Sequence, residues 1–337
     1  MRIQEALIKI IDKRDLEKDE MISVMTQIME GQAERVLLAA FLTALRLKGE
    51  SMEEILGAAI VMRDKSEKIK VKADYVVDTC GTGGDSANTF NISTAAAFVV
   101  AGCGLTVAKH GNRAVSSRSG SADVLKFLGV NIEADKLTVE KCIDDIGIGF
   151  LFAPLMHRAM KHAGEVRKEL GFRTIFNLLG PLTNPAGAHA QVIGVYDANR
   201  LKQIADVLNF LGTKHAFVVH GDDGLDEITL TGTTKVCELL NGKVNEYMLE
   251  PASFGLIACK AKDLEGGSPE ENAGIIRSIL SGVLGPQRDI VLMNASAAIV
   301  AGGRAEKLKE AMVLSRHSID SGLAEKKLND LCHRSYS

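Results

Sequence analysis

The sequence of 337 residues contains no tryptophan and only six prolines, and aromatic residues make up 4% of it. It also lacks an apolar run of the roughly 20 residues that a membrane-spanning helix needs. The longest such run, 95–105, is interrupted by Gly102 and Gly104. The first residues, MRIQEALIKIIDKRD, are charged and amphipathic, without the apolar block of a secretory signal. We therefore expect a cytoplasmic protein without a membrane partner.

An excess of basic residues is absent as well, because 40 Lys and Arg stand against 43 Asp and Glu and give a net charge of −3. A general nucleic-acid binder normally carries a basic excess, so we expect no nucleic-acid partner. The six cysteines form no CxxC pair, which favours reduced thiols in a cytosolic protein over a zinc site or a disulfide framework. They are Cys80, Cys103, Cys142, Cys237, Cys259 and Cys332.

The first part of the chain reads as helices only. Apolar residues recur at helical spacing from Ile3, and glycines follow two of the predicted helices as stop signals. Ser51 begins a further helix, and Glu54 three residues later completes a capping box. No strand signal precedes Tyr75. We predict a small all-helical domain over residues 1–72.

From Tyr75 onward, short apolar strands alternate with helices. Such alternation is typical of an α/β domain with a mostly parallel central sheet, which we predict over residues 73–337. The segment 234–251 is expected to form an antiparallel hairpin that turns at Asn241 and Gly242. About ninety residues at the C-terminal end return to a helical pattern.

Two loops that each follow a strand and precede a helix carry the strongest chemical signals. In VVDTCGTGGDSANTFNIST (76–94), glycines allow close approach to a bulky anion, and the helix start adds unpaired N–H donors. The spacing matches neither a Walker loop nor a dinucleotide site. In VAKHGNRAVSSRSGSADVL (107–125), cations and small hydroxyl residues suit a polyanion. The alternative for the first loop is a tight turn with an ordinary helix cap. The alternative for the second is a solvated surface loop.

Two further motifs are weaker. Asp226 and Glu227 are adjacent, and because neighbouring carboxylates repel, a divalent cation such as magnesium is a natural partner; an acidic turn is the alternative. The segment 155–185 carries five basic residues, most of which we expect to be solvated. One arginine directed inward could hold a carboxylate with its planar, two-pronged guanidinium.

Together these stretches resemble the anthranilate phosphoribosyltransferase family. The similarity covers nearly the whole chain, including VLMNASAAIVAG at 291–302, and KHGNR followed by SGSAD is its most specific part. Small departures from the family pattern are Cys80, Ser86 and Arg118. The other matching stretches are GTGGD at 81–85, NIST at 91–94, KHGNRAVSS at 109–117, VRKELGFRTIFNLLGPLTNP at 166–185 and LDE at 225–227.

The resemblance implies a fold and a reaction. A small helical domain and a larger α/β domain would enclose an active site at the hinge, with residues near 165–190 returning to the helical domain, which would form a homodimer. The enzyme would transfer the phosphoribosyl group of 5-phospho-α-D-ribose 1-diphosphate to anthranilate in tryptophan biosynthesis. Two magnesium ions per monomer would assist it.

The resemblance also implies residue roles. Magnesium would be held by Ser93, Asp226 and Glu227. Anthranilate would contact Gly81, Asn112 and Arg167, with Met156 and His157 along its path of access. The phosphoribosyl diphosphate site would comprise Gly81, Gly84, Asp85, Thr89, Asn91, Ile92, Ser93, Thr94, Lys109, His110, Gly111, Asn112, Arg113, Ala114, Val115, Ser116, Ser117 and Ser121.

Two other functions remain open at the level of sequence. A pyrimidine nucleoside phosphorylase has the same fold, but it needs a base pocket, and no stretch resembles the base-binding loops of that family. A non-catalytic relative that binds nucleic acid should carry a basic stripe and could have lost the acidic pair, which is retained here. Diphosphate release with and without anthranilate distinguishes the three.

Overall fold

The computed structural model describes residues 1–84, 87–114 and 118–337. Within this part of the chain only helices precede residue 76: α1 (Ile3–Ile11), α2 (Lys18–Met29), α3 (Arg35–Lys48) and α4 (Met52–Asp64). They pack α1 on α3 and α2 on α4. The prediction of a small N-terminal helical domain is confirmed.

The predicted capping box at the start of α4 is present and does more than cap. The N–H of Ser51 donates to Glu54 Oε2 at 2.7 Å, and the N–H of Glu54 donates to Ser51 Oγ at 3.2 Å. The fully buried Glu54 carboxylate also accepts from the N–H of Leu16 and from Lys48 Nζ, both at 2.9 Å. A helix cap thus joins the α1–α2 linker, α3 and α4.

A mostly parallel sheet forms the centre of the larger domain, as predicted. In the described residues its order is β3-β2-β1-β4-β5-β6-β7; the first five strands are parallel, and β6 and β7 are antiparallel. The strands are β1 (Val76–Gly81), β2 (Thr106–Gly111), β3 (Ile148–Phe152), β4 (Ala190–Gly194), β5 (His215–Gly221), β6 (Thr234–Leu240) and β7 (Lys243–Leu249).

Helices alternate with the strands and then complete the C-terminal part. They are α5 (Ile92–Gly102), α6 (Ser121–Leu128), α7 (Lys136–Ile146), α8 (Ala153–Met156), α9 (Lys161–Leu170), α10 (Ile175–Leu179), α11 (Leu201–Phe210), α12 (Pro269–Leu280), α13 (Pro286–Ala301), α14 (Leu308–Asp320) and α15 (Leu323–Arg334). No helix in the described ranges is long and apolar enough to cross a membrane.

The β6–β7 hairpin turns where the sequence predicts. Asn241 and Gly242 have φ angles of +47° and +84°. Positive φ at both central residues is the conformation of a tight two-residue turn that matches the twist of the strands.

Two apolar layers enclose the sheet. On one face α5 and α13 contribute to a core that includes Phe98 and Phe217. On the other face α11 and the helical domain share a core that includes Ile193 and Val218. Helices α9 and α10 pack against α2, α3 and α4 rather than on the sheet. The exact bounds, 1–72 and 73–337, stay a prediction.

The strand order determines where a ligand can bind. The chain runs outward from β1 to β2 and β3 and then returns to place β4 on the other side of β1. The loops that leave β1 and β4 therefore diverge and open a crevice at the carboxyl ends of these strands, the usual ligand site in such sheets.

Candidate active site

A cavity of about 960 Å³ occupies this crevice, between the sheet and the helical domain. It is lined by the loops after β1, β2 and β5 and by α9 and α10. Asp85, Val115, Ser116 and Ser117 lie outside the described residues. The other members of the three predicted residue sets all line the cavity: Gly81, Gly84, Thr89, Asn91, Ile92, Ser93, Thr94, Lys109, His110, Gly111, Asn112, Arg113, Ala114, Ser121, Arg167, Asp226 and Glu227.

The carboxylate of Asp226 lies against the end of β1. Its Oδ2 accepts a hydrogen bond from the N–H of Gly83 at 2.8 Å. A Cβ on Gly81 would lie 2.3 Å from the same oxygen, and a Cβ on Gly194 would lie 1.5 Å from the backbone oxygen of Asp226. The glycines at the ends of β1 and β4 are thus required for close packing.

Glu227 is directed to the start of α5. Its Oε1 accepts from the N–H of Ser93 at 3.1 Å. The neighbouring Thr94 hydroxyl is buried and has no hydrogen-bond partner among the described residues. A buried hydroxyl in the first turn of a helix, at the wall of a cavity, suits an anion that accepts from it.

Lys109 brings a buried positive charge to the same place. Its Nζ donates to the backbone oxygen of Thr79 at 2.6 Å and lies 3.4 Å from Ser93 Oγ. Burial lowers the pKa of Lys109, while the negative charge of Asp78 opposes this effect. A desolvated cation beside two carboxylates and a helix start is well placed to act on a polyanion.

Asp78 is a residue that the sequence analysis missed. It is fully buried within β1, accepting from the N–H of His110 at 3.1 Å and from Asn184 Nδ2 at 2.8 Å. Asn184 also donates to the backbone oxygen of Ala108 at 2.8 Å. Burial raises the pKa of Asp78, and nearby Lys109 opposes the rise. A charged residue inside an apolar strand was the signal available in the sequence.

Acidic side chains of the α/β domain hold the described part of the loop after β2. Asp123 Oδ2 accepts from the N–H groups of Ala114 and Gly120, at 2.9 and 3.0 Å. The Arg113 guanidinium pairs with Glu133 at 3.3 Å and with Asp123 at 3.7 Å. In this conformation Arg113 therefore already has acidic partners, although the residue borders the cavity.

Asn91 connects the loops that follow β1 and β2, which the sequence analysis predicts to bind a polyanion. Its Nδ2 donates to the backbone oxygen of Ser119 at 3.0 Å, and its Oδ1 accepts from the Ser119 hydroxyl at 3.0 Å and from Asn272 Nδ2 at 3.1 Å. This side chain aligns the loops with each other and has little capacity left for a ligand.

Two neutral histidines stand at another wall of the cavity. The rings of His110 and His157 lie 5.1 Å apart, and neither Nε2 has a hydrogen-bond partner in the described structure. Burial, aided by the neighbouring imidazole, lowers the pKa of His110 to about 3, and burial lowers that of His157 to about 4. Met156 does not line the cavity; it is buried in a small separate core with Ile69.

The side of the helical domain contributes two arginines. Arg167 on α9 is half-buried, with its guanidinium carbon 5.1 Å from the centre of the Phe176 ring. Burial lowers the pKa of Arg167, and no described carboxylate pairs with it. Arg173 is one of the five basic residues of the segment 155–185, and the sequence analysis assigned it no role; its guanidinium carbon lies 4.2 Å from the centre of the Tyr196 ring, and the guanidinium lies against Gly84. Its position after Gly171 in a basic segment gave no indication of this contact.

Magnesium is usually held by one or two carboxylates, with phosphate oxygens and waters as the other ligands. Asp226, Glu227 and the Ser93 hydroxyl form a donor set of that kind. No group of three or more His, Cys, Asp or Glu side chains converges in the described ranges. Among the described residues an ion here would therefore have few protein ligands, and phosphate oxygens and waters could supply others.

Comparison with protein families matches both domains. The α/β domain model of a glycosyl transferase family matches residues 73–325, and the helical bundle domain model of the same family matches residues 4–66. The matches agree with the small helical and larger α/β domains described above.

Individual relatives agree with this assignment. An anthranilate phosphoribosyltransferase of Anaeromyxobacter sp. is 55% identical over 98% of this chain and 97% of its own length. The crystal structure of the Thermus thermophilus enzyme of that name has a TM-score of 0.94 and 44% identity, covering 98% of this chain and 99% of its own. The Saccharomyces cerevisiae enzyme in complex with PRPP and Mg has a TM-score of 0.91 and 30% identity, covering 99% and 98%. The chain belongs to the anthranilate phosphoribosyltransferase family.

Proposed function

We propose that this chain transfers the phosphoribosyl group of 5-phospho-α-D-ribose 1-diphosphate to anthranilate. The products are N-(5-phosphoribosyl)anthranilate and diphosphate, in tryptophan biosynthesis. One observation carries the proposal: Lys109, the start of α5 and the acidic pair meet at one wall of a cavity that Arg167 of α9 also lines. The cavity has the size of a ligand site.

The donor is assigned to the α/β domain. Three features support a diphosphate near the ends of β1 and β2: the Thr94 hydroxyl, which has no hydrogen-bond partner among the described residues, the helix start at Ile92 and the buried Lys109 charge. The predicted donor residues Asp85, Val115, Ser116 and Ser117 lie outside the described residues and remain assigned by resemblance alone.

Two magnesium ions per monomer are assigned to Ser93, Asp226 and Glu227. The two carboxylates contact different backbone N–H groups, those of Gly83 and Ser93. Because they point to different N–H groups, the two carboxylates could each hold one ion beside a bound diphosphate. When bound, magnesium would neutralise charge on the leaving group.

The chemistry needs little base catalysis. The amine of anthranilate is an aryl amine, whose lone pair is free at neutral pH, so attack at C1 of the ribose requires no strong base. Burial lowers the pKa of His110 to about 3 and that of His157 to about 4, so both are weak bases, which agrees with a reaction that needs no strong base. The harder step is departure of diphosphate, which Lys109 and backbone N–H groups stabilise as charge develops. We therefore expect inversion at C1 without a covalent intermediate.

Anthranilate is assigned to the side of Arg167, with Gly81 and Asn112 as further contacts. Its flat ring offers one strong handle, the carboxylate ortho to the amine. An arginine fork matches a carboxylate, and Arg167 has no acidic partner in the described structure. His157, which lines the cavity, is assigned to the path of access, whereas Met156 is buried in the core and does not line the cavity.

The helical domain is assigned to a homodimer interface. On adjacent helices α1 and α3, Ile8, Ile11, Val36 and Leu47 are strongly exposed. Val36 and Leu47 lie on one face of α3 together with the half-buried Ala40, which permits close helix approach. An uncovered apolar face of this kind supports self-association through a symmetric contact.

The cytoplasm is the compartment that we propose. All six cysteines are free thiols, which suits a reducing environment.

The reaction and its metal requirement can be tested together. Wild type should release diphosphate only when donor, anthranilate and magnesium are all present. Asp226→Asn combined with Glu227→Gln should lower the rate at least ~100-fold, because the leaving charge loses its metal. The matched control is Asp222→Asn, an exposed residue of the same loop. Normal turnover of the folded double variant in chelated buffer contradicts the metal assignment, and anthranilate-independent release contradicts the reaction.

Lys109 should act mainly in the transition state. Lys109→Met should cost about 2–4 kcal/mol of transition-state stabilisation, as calculated from the decrease in kcat/KM. This is the loss expected when one donor that stabilises developing charge is removed. That is roughly 30- to 900-fold. Lys126→Met, an exposed lysine on α6, is the control and should be nearly neutral. A folded Lys109→Met enzyme with less than a tenfold loss would place this lysine outside the catalytic machinery.

Arg167 should read the anthranilate carboxylate. Arg167→Ala should raise the KM for anthranilate by about 10- to 150-fold, as expected for 1.5–3 kcal/mol from a charged hydrogen bond, with little change in donor affinity. Aniline, which lacks the carboxylate, should be a poor substrate and should suffer much less from the change. Lys161→Ala, an exposed residue of the same helix, is the control. Equal losses for anthranilate and aniline would rule out carboxylate recognition.

The dimer can be tested by sedimentation velocity. Wild type should sediment as a dimer, and Val36→Lys with Leu47→Lys should produce monomers because two buried charges would face their symmetry mates. Ile257→Lys introduces a charge at an equally exposed apolar residue of the α/β domain and should remain dimeric. A monomeric wild type, or a dimeric double variant, contradicts the proposed interface.

A further inference from the structure

We propose that Asn294, on the core helix α13, is the positioning residue for the magnesium-binding carboxylates. It lies in the stretch VLMNASAAIVAG, which does not line the cavity. The inference rests on the proposed function, since it assumes that Asp226 and Glu227 hold the metal.

Asn294 holds both backbone groups of Ile228. The N–H of Ile228 donates to Asn294 Oδ1 at 2.9 Å, and Asn294 Nδ2 donates to the Ile228 oxygen at 2.9 Å. The N–H of Ile228 belongs to the peptide unit that joins it to Glu227. The side chain therefore fixes the peptide plane directly attached to a metal-binding residue.

The amide itself cannot rotate freely. Its Nδ2 makes a second hydrogen bond, to the oxygen of Ile290 one turn earlier on α13, at 3.0 Å. Asn294 is almost fully buried, so reversing the amide would leave three buried polar groups facing like partners. The orientation of the Glu227–Ile228 peptide is thus tied to a core helix.

The other side of the acidic pair is fixed by contact. The backbone oxygen of Asp226 lies against Gly194 at the end of β4. Further along the loop, the N–H of Thr229 donates to Thr234 Oγ1 at 3.0 Å. Between these two contacts, the hydrogen bonds of Asn294 hold the peptide that joins Glu227 to Ile228. It does not line the cavity, so its effect on an ion has to pass through the backbone.

A purely structural role makes a different prediction. Ile228 is buried, and its backbone N–H and oxygen need partners in any case. If that were all, variants at Asn294 would lose stability, but the folded molecules would bind metal normally. Partners outside the ligand shell of a metal typically change its affinity when they orient a ligand.

The test is metal affinity measured apart from turnover. Mn²⁺ binding to the full chain in the presence of donor is followed by electron paramagnetic resonance for wild type, Asn294→Leu and Asn294→Asp. Asn294→Leu keeps the branched arrangement of the side-chain heavy atoms, although it is somewhat larger, and removes every hydrogen bond; it should weaken Mn²⁺ binding by about 10- to 100-fold. The Mg²⁺ concentration for half-maximal rate should rise in parallel, while kcat at saturating Mg²⁺ changes by less than ~3-fold.

Asn294→Asp keeps the acceptor for the Ile228 N–H. Buried beside the oxygens of Ile228 and Ile290, its carboxyl group should be protonated and donate to one of them, so it should give a smaller shift and keeps the test valid if the leucine variant does not fold. Ser296→Ala is the matched control. Ser296 is fully buried on the same helix and donates to the Leu292 oxygen, so its loss perturbs α13 without touching the acidic loop.

The possible failures are distinguishable. If wild type binds Mn²⁺ and both folded Asn294 variants bind it within twofold of wild type, the positioning role is wrong and the metal site stands. An equal loss in Ser296→Ala would also overturn it, because any disturbance of α13 would then suffice. If wild type itself binds no Mn²⁺ with donor present, the proposed metal site fails, and the role of Asn294 fails with it.

Discussion

The packing of Asp226 against two glycine α-carbons is the constraint on which the rest of the site depends. A side chain on Gly81 or Gly194 would occupy the space of the Asp226 carboxylate or backbone. Because these glycines end β1 and β4, the loop after β5 can cross both strand ends and bring Glu227 to the N–H of Ser93. The divergence of the loops at this switch in strand order provides the room, and the glycines allow the approach.

Charges of both signs stand side by side at one wall of the site. Lys109, Asp226 and Glu227 stand at one wall, with Asp78 buried behind the lysine. Burying such charges is unfavourable unless each has partners. A polyanion with bound cations would extend this alternation of charge into the cavity. In the proposed reaction, Lys109 and the start of α5 would bind its phosphates, and the acidic pair would bind its metal ions.

The sequence was sufficient to predict the helical domain, the parallel sheet and the hairpin at Asn241 and Gly242, since these follow from local periodicity and turn chemistry. The described members of the predicted site also line one cavity. Contacts between distant segments escaped prediction. Two examples are the contact of Arg173 with Tyr196 and the hydrogen bond from Asn184 to Asp78. Both depend on how segments that are distant in the sequence meet in space, which periodicity along the chain does not encode.

The proposed assignments divide the two substrates between two parts of the molecule. The donor residues lie on the sheet loops, held from the core side and joined to each other through Asn91. Arg167 lies on α9, which packs against α2 and α3. Asn184, which follows α9 and α10 in the chain, donates hydrogen bonds to Asp78 and to the backbone oxygen of Ala108 in the sheet. A movement of the helical domain would displace Arg167 relative to the donor loops of the sheet. In the proposed reaction, such a closure would align the amine with C1 and exclude water from the donor, so that recognition of anthranilate would be coupled to protection of the reactive bond.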